Sequence, residues 1–184
     1  MNDVTTLLKR IAAEDRSALD ELFSLIYADL HRLARARLSE NSPQTYLDAT
    51  ALAHEAYLRL RGAERIDIAS RGQFMAYVSQ VLRAIIVDFA RRRNAERRGG
   101  GRFRITLNTQ IADAVGSGDV DIEHVNDALI ELERSDPRLK SVVEMRYFGG
   151  LTNSEIADAL GVTERTVNRD WERARLLLFV ALKR

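Results

Sequence analysis

Arg165, Thr166, Asn168, Arg169 and Arg173 fall together near the C-terminus of a 184-residue chain, in the segment LTNSEIADALGVTERTVNRDWERARLLL. Side chains of these types read nucleic acid: a guanidinium spans guanine O6 and N7 or grips a phosphate, and an amide spans adenine N6 and N7. Such chemistry needs one face of a helix, and the segment provides it. Thr152 followed by Glu155 has the spacing of a capping box, and Leu151 with Ile156 that of a hydrophobic staple, so a helix start is marked twice. Gly161 permits a sharp turn, and Thr163 offers a second cap. Beyond it Val167, Trp171, Ala174 and Leu178 recur at three- and four-residue steps as a buried face, which leaves Arg165, Asn168, Arg169 and Glu172 on another. Two short helices, a glycine turn and an arginine-bearing second helix make a helix-turn-helix suited to a major groove. The alternative is an ordinary helical hairpin with a solvated charged face. Trp171 reads as core, and Arg173 and Arg175 as phosphate contacts or solvated charges.

A second basic region lies in the N-terminal half. The segment QFMAYVSQVLRAIIVDFARRR carries Phe74, Tyr77, Val81, Ile85 and Phe89 along an apolar stripe, then Arg91, Arg92 and Arg93. Between Arg83 and Arg104 eight arginines face only Asp88 and Glu96. An arginine run can simply complement the negative end of a helix dipole. Two separated basic regions in one chain point instead to a shared polyanion.

Catalytic and metal chemistry find no such support. His31, His54 and His124 lack metal-ligand spacing, and no glycine-rich stretch follows a strand as a phosphate loop would. His54-Glu55 reads as a surface dipeptide rather than an acid/base pair. No enzyme activity, cofactor or metal is therefore expected.

The elements that must hold these residues are helical. Only Pro43 and Pro137 interrupt segments rich in Ala, Leu, Arg and Glu, a composition that favours helices. Apolar periodicity predicts helices over 4–13 and 17–38, another after the break at Asn41-Ser42-Pro43, and one from Gln73 to Arg93 after a loop from Gly62 to Gly72. Four more are expected over 125–132, 138–147, 154–160 and 164–182. Glycines at 99–101, 116 and 118 mark residues 98–122 as a linker, so the expected organisation is an all-α pair of small domains, 1–97 and 123–184. A brief strand-like or helical piece within 105–115 stays open. Charge is nearly balanced at 28 basic against 27 acidic residues, so local asymmetry carries any polyanion argument. The absence of cysteine fits a reducing cytoplasm, and the N-terminus lacks the unbroken apolar core of a signal peptide. No membrane span is expected, since the apolar runs are too short.

Taken together, these residues resemble the bacterial RNA polymerase sigma factors of the extracytoplasmic-function (ECF) group, from about Asp15 to Leu182. Where that family typically reads D-A-E-D-L-x-Q-E-x-F-L-x-L, the chain has Asp48-Ala49-Thr50-Ala51-Leu52-Ala53-His54-Glu55-Ala56-Tyr57-Leu58-Arg59-Leu60. The following helix looks like the promoter-melting helix, with Phe74, Tyr77 in place of the usual tryptophan, Arg83, Ala84 where asparagine is common, and the closing arginines. The C-terminal match includes Arg146-Tyr147, Leu151-Thr152, Glu155-Ile156-Ala157, Leu160-Gly161-Val162 and Thr166-Val167.

The resemblance implies that residues 1–97 bind the clamp helices of core RNA polymerase, through Asp48, Thr50, Ala51, His54 and Glu55, and open the minus-ten element with Arg83, Arg91, Arg92 and Arg93. In the same picture the Gly62–Gly72 loop traps an unstacked base, residues 98–122 thread the polymerase, and residues 123–184 read the minus-thirty-five element and touch the flap. Thr50 and Ala51 stand where relatives carry an acidic pair, and His54 where they carry glutamine. The first turn of a helix favours anions. Phosphorylation of Thr50 by a Ser/Thr kinase would restore the missing charge, with Thr45 the second candidate. An anti-sigma protein remains open as a further partner. The competing class is a response-regulator or quorum-type activator, which shares the helix-turn-helix but places an α/β or ligand-binding domain first.

Neutralising Arg91, Arg92 and Arg93 is expected to weaken promoter binding by the holoenzyme across all sequences and to flatten its salt dependence by about 0.9 in log–log slope per lost phosphate contact. A salt titration of binding checks this, and an unchanged slope would leave the run a solvated helix end.

Overall fold

The computed structural model describes residues 3–15, 17–37, 49–62, 68, 70–96, 104–105 and 120–183. Four helices come first: α1 (Val4–Ala12), α2 (Ser17–Arg37), α3 (Ala49–Gly62) and α4 (Arg71–Glu96). Two strands of two residues come next, β1 (Arg104–Ile105) and β2 (Val120–Asp121), paired antiparallel with Arg104 opposite Asp121. The C-terminal half holds α5 (Ile122–Ser135), α6 (Pro137–Val143), a π-helical turn (Glu144–Phe148), α7 (Asn153–Leu160) and α8 (Glu164–Leu182). The fold is all-α, and the two-residue pairing does not alter its class.

Local chemistry explains the boundaries. Asp15 accepts hydrogen bonds from the Ser17 amide and hydroxyl and from Arg10, which fixes the corner between α1 and α2. The Ser17 hydroxyl and then the Arg10 guanidinium hold the Asp15 carboxyl down at about 2. Ser70 caps α4 by accepting from the Gln73 amide at 3.2 Å. Asp136 caps α6 by accepting from the Arg138 and Leu139 amides, with Pro137 in the first turn where its missing N–H costs nothing. The π turn is closed by the Gly149 amide donating to the Glu144 carbonyl at 3.1 Å.

The helices pack in chain order and then fold back. α1 lies on α2, α2 on α3, and α3 on α4; the π turn, α7 and α5 then cover another side of α4. α8 rests on α5, α6 and α7. One hydrophobic cluster runs from Leu7 and Leu22 through Phe74 and Leu82 to Phe148 and Trp171.

α4 departs from the sequence-based expectation. A single apolar stripe predicts a helix with one wet face, yet Val78, Ser79, Leu82, Ile86, Val87 and Ala90 are buried as well as Phe74, Val81 and Ile85. Tyr77 and Phe89, assigned to the stripe, are only half-buried. The helix is covered from two sides because the C-terminal half closes over it, a contact that periodicity does not encode. It also begins at Arg71, which places Gly72 in its first turn rather than in a loop. Of the expected Gly62–Gly72 loop, residues 63–67 and 69 lie outside the described residues, as does most of the 98–122 linker.

The helix-turn-helix forms as its caps dictate. Thr152 Oγ1 accepts from the Glu155 amide while the Glu155 carboxylate accepts from the Thr152 amide, completing the capping box. Gly161 ends α7 in the left-handed region at φ 65°, where a Cβ would be strained. Thr152→Ala is expected to cost about 1 kcal/mol, read as a lower urea midpoint with an unchanged slope.

Candidate nucleic-acid and polymerase interfaces

α8 is oriented by its buried side. Val167, Trp171, Ala174 and Leu178 are all buried, as their spacing predicts, and the Arg146 guanidinium lies 4.6 Å from the centre of the Trp171 ring. Asp170 is fully buried and accepts from Arg138 Nε at 2.6 Å and Nη2 at 3.4 Å, which ties α8 to α6. Those contacts fix the rotation of α8 and so decide which residues face outward. Arg165, Asn168, Arg169 and Arg173 are exposed, and Thr166 is half-buried. The Thr166 amide donates to Thr163 Oγ1 at 3.2 Å, so Thr166 serves the helix start. Asn168 accepts from Asn153 Nδ2 at 2.7 Å, linking the two helices of the motif across their outer surface. Arg169 keeps 66% of its side-chain surface exposed, with Nε 3.8 Å from Asp170. Arg173 sits 3.9 Å from Asp136, too far for a hydrogen bond.

The structure brings these five residues onto one short stretch of α8 next to the N-terminus of α7, as a groove-reading motif requires. A separate apolar groove of about 260 Å³ lies between α5 and α8, lined by Leu132, Leu177, Leu178, Val180 and Ala181 among others. Of its lining residues on α8, Leu177 and Val180 are exposed.

At the N-terminal site, α3 buries Leu52, Ala53, Ala56 and Leu60 and turns Thr50, Ala51 and His54 to solvent. Its first turn carries no acidic residue. Thr50 Oγ1 lies 3.3 Å from His31 Nε2 on α2. Tyr27, one turn before His31, lies tilted against the His31 ring and edge-to-face with the His54 ring. Glu55 accepts from Arg59 Nε at 3.2 Å, and Arg59 reaches on to Asp88 of α4 at 2.8 Å. Asp88 and then Glu55 raise the Arg59 pKa above its ordinary value, a direction opposed by partial burial. Glu55 therefore braces α3 against α4 as well as facing outward. Asp48 and Thr45 lie outside the described residues. Two features escaped the sequence reading: His31, separated in sequence from Thr50, and Leu58, which is 59% exposed one turn beyond His54. Leu58 sat in plain view as an apolar residue on the face of Thr50, Ala51 and His54.

The basic helix divides. Arg91 and Arg92 are exposed, and the Arg93 side chain lies outside the described residues. Arg83 is not on that surface. Its Nε lies 2.7 Å from Glu144 Oε1 in the π turn, and its Nη1 donates to Asn126 Oδ1 of α5 at 2.5 Å. The Glu144 side chain is 1% exposed. Burial pushes its carboxyl above the usual range, while Arg83 and Lys140 pull it back.

The family model described as ECF sigma factor matches residues 1–184, and the chain belongs to that family. No curated protein matches the chain. Family membership assigns it to transcription initiation, with core RNA polymerase and promoter DNA as its partners. The competing activator class would place strands in the first half, where every described element up to Glu96 is an α-helix. Among the described residues no helix is long and apolar enough to cross a membrane.

Replacing Arg165 or Arg169 with Ala is expected to weaken binding of upstream-element duplex while leaving the helix-turn-helix folded, with about 1–3 kcal/mol of base discrimination lost for a base-edge contact. Competition binding against mutated duplexes measures it. Unchanged affinity and specificity in both variants would remove the assignment.

Proposed function

We propose that this chain is an alternative sigma factor whose polymerase-binding helix is completed by phosphorylation of Thr50. The observation that supports this is the first turn of α3: Thr50 is exposed there, no carboxylate accompanies it, and His31 Nε2 stands 3.3 Å from its hydroxyl. A phosphothreonine at that place carries about −1.5 to −2 charges and three acceptor oxygens. It gains from the unpaired N–H groups and the dipole of the helix start. His31 Nε2, 3.3 Å from the Thr50 hydroxyl, offers a hydrogen-bond partner on the same side.

In this reading residues 1–97 bind the clamp helices through Asp48, Thr50, Ala51, His54 and Glu55. Arg91, Arg92 and Arg93 act on the minus-ten element, and Arg83 joins them only where it leaves Glu144 and Asn126. Residues 123–184 read the minus-thirty-five element through α8, and residues 98–122 span the two. The apolar groove between α5 and α8 supports a contact with the polymerase flap, since its exposed Leu177 and Val180 suit an apolar helix. A Ser/Thr kinase is the upstream partner, and an anti-sigma protein is a second level of control. The chain works in the cytoplasm, with the polymerase.

The experiment is co-purification with core polymerase followed by run-off transcription, with and without kinase treatment. Thr50→Ala is expected to fold normally but to lose polymerase binding and promoter activity in cells. Thr50→Glu should recover part of both, because it supplies one charge and fewer acceptors. Full activity of Thr50→Ala under the inducing condition would end the phosphorylation reading and leave the sigma reading to the run-off assay.

A further inference from the structure

The two helices of the C-terminal motif are tied to each other on their outer surface. Asn153 is the first residue of α7, and its Nδ2 donates to Asn168 Oδ1 on α8 at 2.7 Å. Both backbones are fixed beneath that contact: the capping box of Thr152 and Glu155 holds the start of α7, and buried Val167 and Trp171 hold α8 on either side of Asn168. Asn153 is half-buried, whereas Asn168 is exposed, as are Arg165 and Arg169. One amide therefore belongs to the fold and the other to the outer face of α8.

An amide has a donor end and an acceptor end, and what it can recognise depends on which end is already engaged. Asn153 Oδ1 is buried and has no hydrogen-bond partner among the described residues. An unmatched carbonyl oxygen is tolerated in an interior more readily than an unmatched N–H, so the oxygen takes the inner position and Nδ2 the outer one. Only an acceptor can meet Nδ2, which turns the Asn168 oxygen toward α7. The Asn168 Nδ2, with its two donors, is left unengaged among the described residues. A free asparagine spans adenine by offering a donor to N7 and an acceptor to N6, whereas guanine presents two acceptors, N7 and O6. With its oxygen held by Asn153, Asn168 has donors alone to offer. The adenine contact is withdrawn and the guanine contact remains.

We propose that Asn153 sets the base preference of α8: by holding the Asn168 oxygen against α7, it makes Asn168 a donor-only reader that selects guanine over adenine at the base pair it meets. Asn153 acts through Asn168, as a positioning residue, and touches no base itself. The pairing of the two amides stands on its own geometry, and its effect on base choice rests on the assignment of α8 to upstream-element duplex.

Two substitutions at one position change the pairing in different ways. Asn153→Ala removes the donor and frees the Asn168 oxygen. Asn153→Asp keeps the volume and puts an acceptor in its place, and a carboxylate in the first turn suits the start of α7. Asn168 must then turn its Nδ2 inward and its oxygen outward. Nitrogen-15 spectra of the full-length chain read the pairing without DNA. In the parent the side-chain protons of Asn153 are expected to exchange with water more slowly than those of Asn168, and in Asn153→Asp those of Asn168 should slow. Slow Asn168 protons in the parent would overturn the orientation. Base choice is read by selecting duplexes from a pool randomised across the upstream element, with the full-length chain, and sequencing what is bound. Asn168→Ala should erase the preference at one base pair and so locate it. There Asn153→Ala should lower the guanine-to-adenine ratio on the order of tenfold, and Asn153→Asp should move the preference to cytosine or adenine, whose amino groups donate, by a similar factor. A merely structural role for Asn153 would weaken every sequence alike. If the Asn153 variants keep the parental base profile while Arg165→Ala or Arg169→Ala alters it, Asn153 sets no preference and that role alone is overturned. If none of these substitutions alters the profile, or the parent enriches no sequence, the assignment of α8 to duplex is overturned with it.

Discussion

Ile85, Ile86 and Val87 are consecutive, and all three are buried. On an α-helix successive residues are turned by about 100°, so three in a row sweep more than half the circumference. No single partner helix covers that arc. α4 has to be enclosed, by α3 and α1 on one side and by α5, the π turn and α7 on the other. The rest of the structure depends on this requirement: α3 turns Thr50, Ala51 and His54 outward because it spends its apolar side on α4, and the C-terminal half is positioned by the side that α3 leaves uncovered.

Charge pairs then set orientation within that apolar frame. Arg59 joins Glu55 to Asp88 and so couples the outward face of α3 to α4. Arg138 does the corresponding work in the C-terminal half by holding buried Asp170, one residue from Arg169 on α8. Asp136 caps α6 and stands near Arg173, so the start of α6 and the outer surface of α8 share one carboxylate. In each case a residue of a proposed interface is adjacent to, or identical with, one that fixes a helix. The interfaces are accordingly as rigid as the helices that carry them.

The C-terminal motif was legible in the sequence because its determinants are local. Thr152 with Glu155, Gly161 and Thr163 act over three or four residues, and they mark α7 and α8 to within a residue of where they lie. The bounds of α4 and α5 were less legible, since Ser70 caps α4 beyond the reach of the apolar pattern and α5 runs from Ile122 to Ser135, past the 125–132 that the pattern marks at both ends. Thr50 was recognisable by its place in a helix start, but His31 was not, because their approach depends on how α2 packs on α3. Least legible was Arg83. The resemblance assigned it to promoter DNA, whereas its partners Glu144 and Asn126 come from another part of the chain, where no local pattern announces a buried ion pair.

The π turn at Glu144–Phe148 holds one more residue than a regular helical turn would in the same span. Such a turn is equivalent to a one-residue insertion into a continuous helix from Pro137 onward. Loss of any one residue between Val143 and Phe148 would restore the regular ladder. It would also swing the segment before the deletion by about 100° relative to the segment after it. Glu144 and the Tyr147–Phe148 pair that anchors in the core could not both keep their bearings. A length polymorphism at this one place would therefore act as a rotation, separating chains that can bring a carboxylate to Arg83 from chains that cannot, with no change in the composition of either surface.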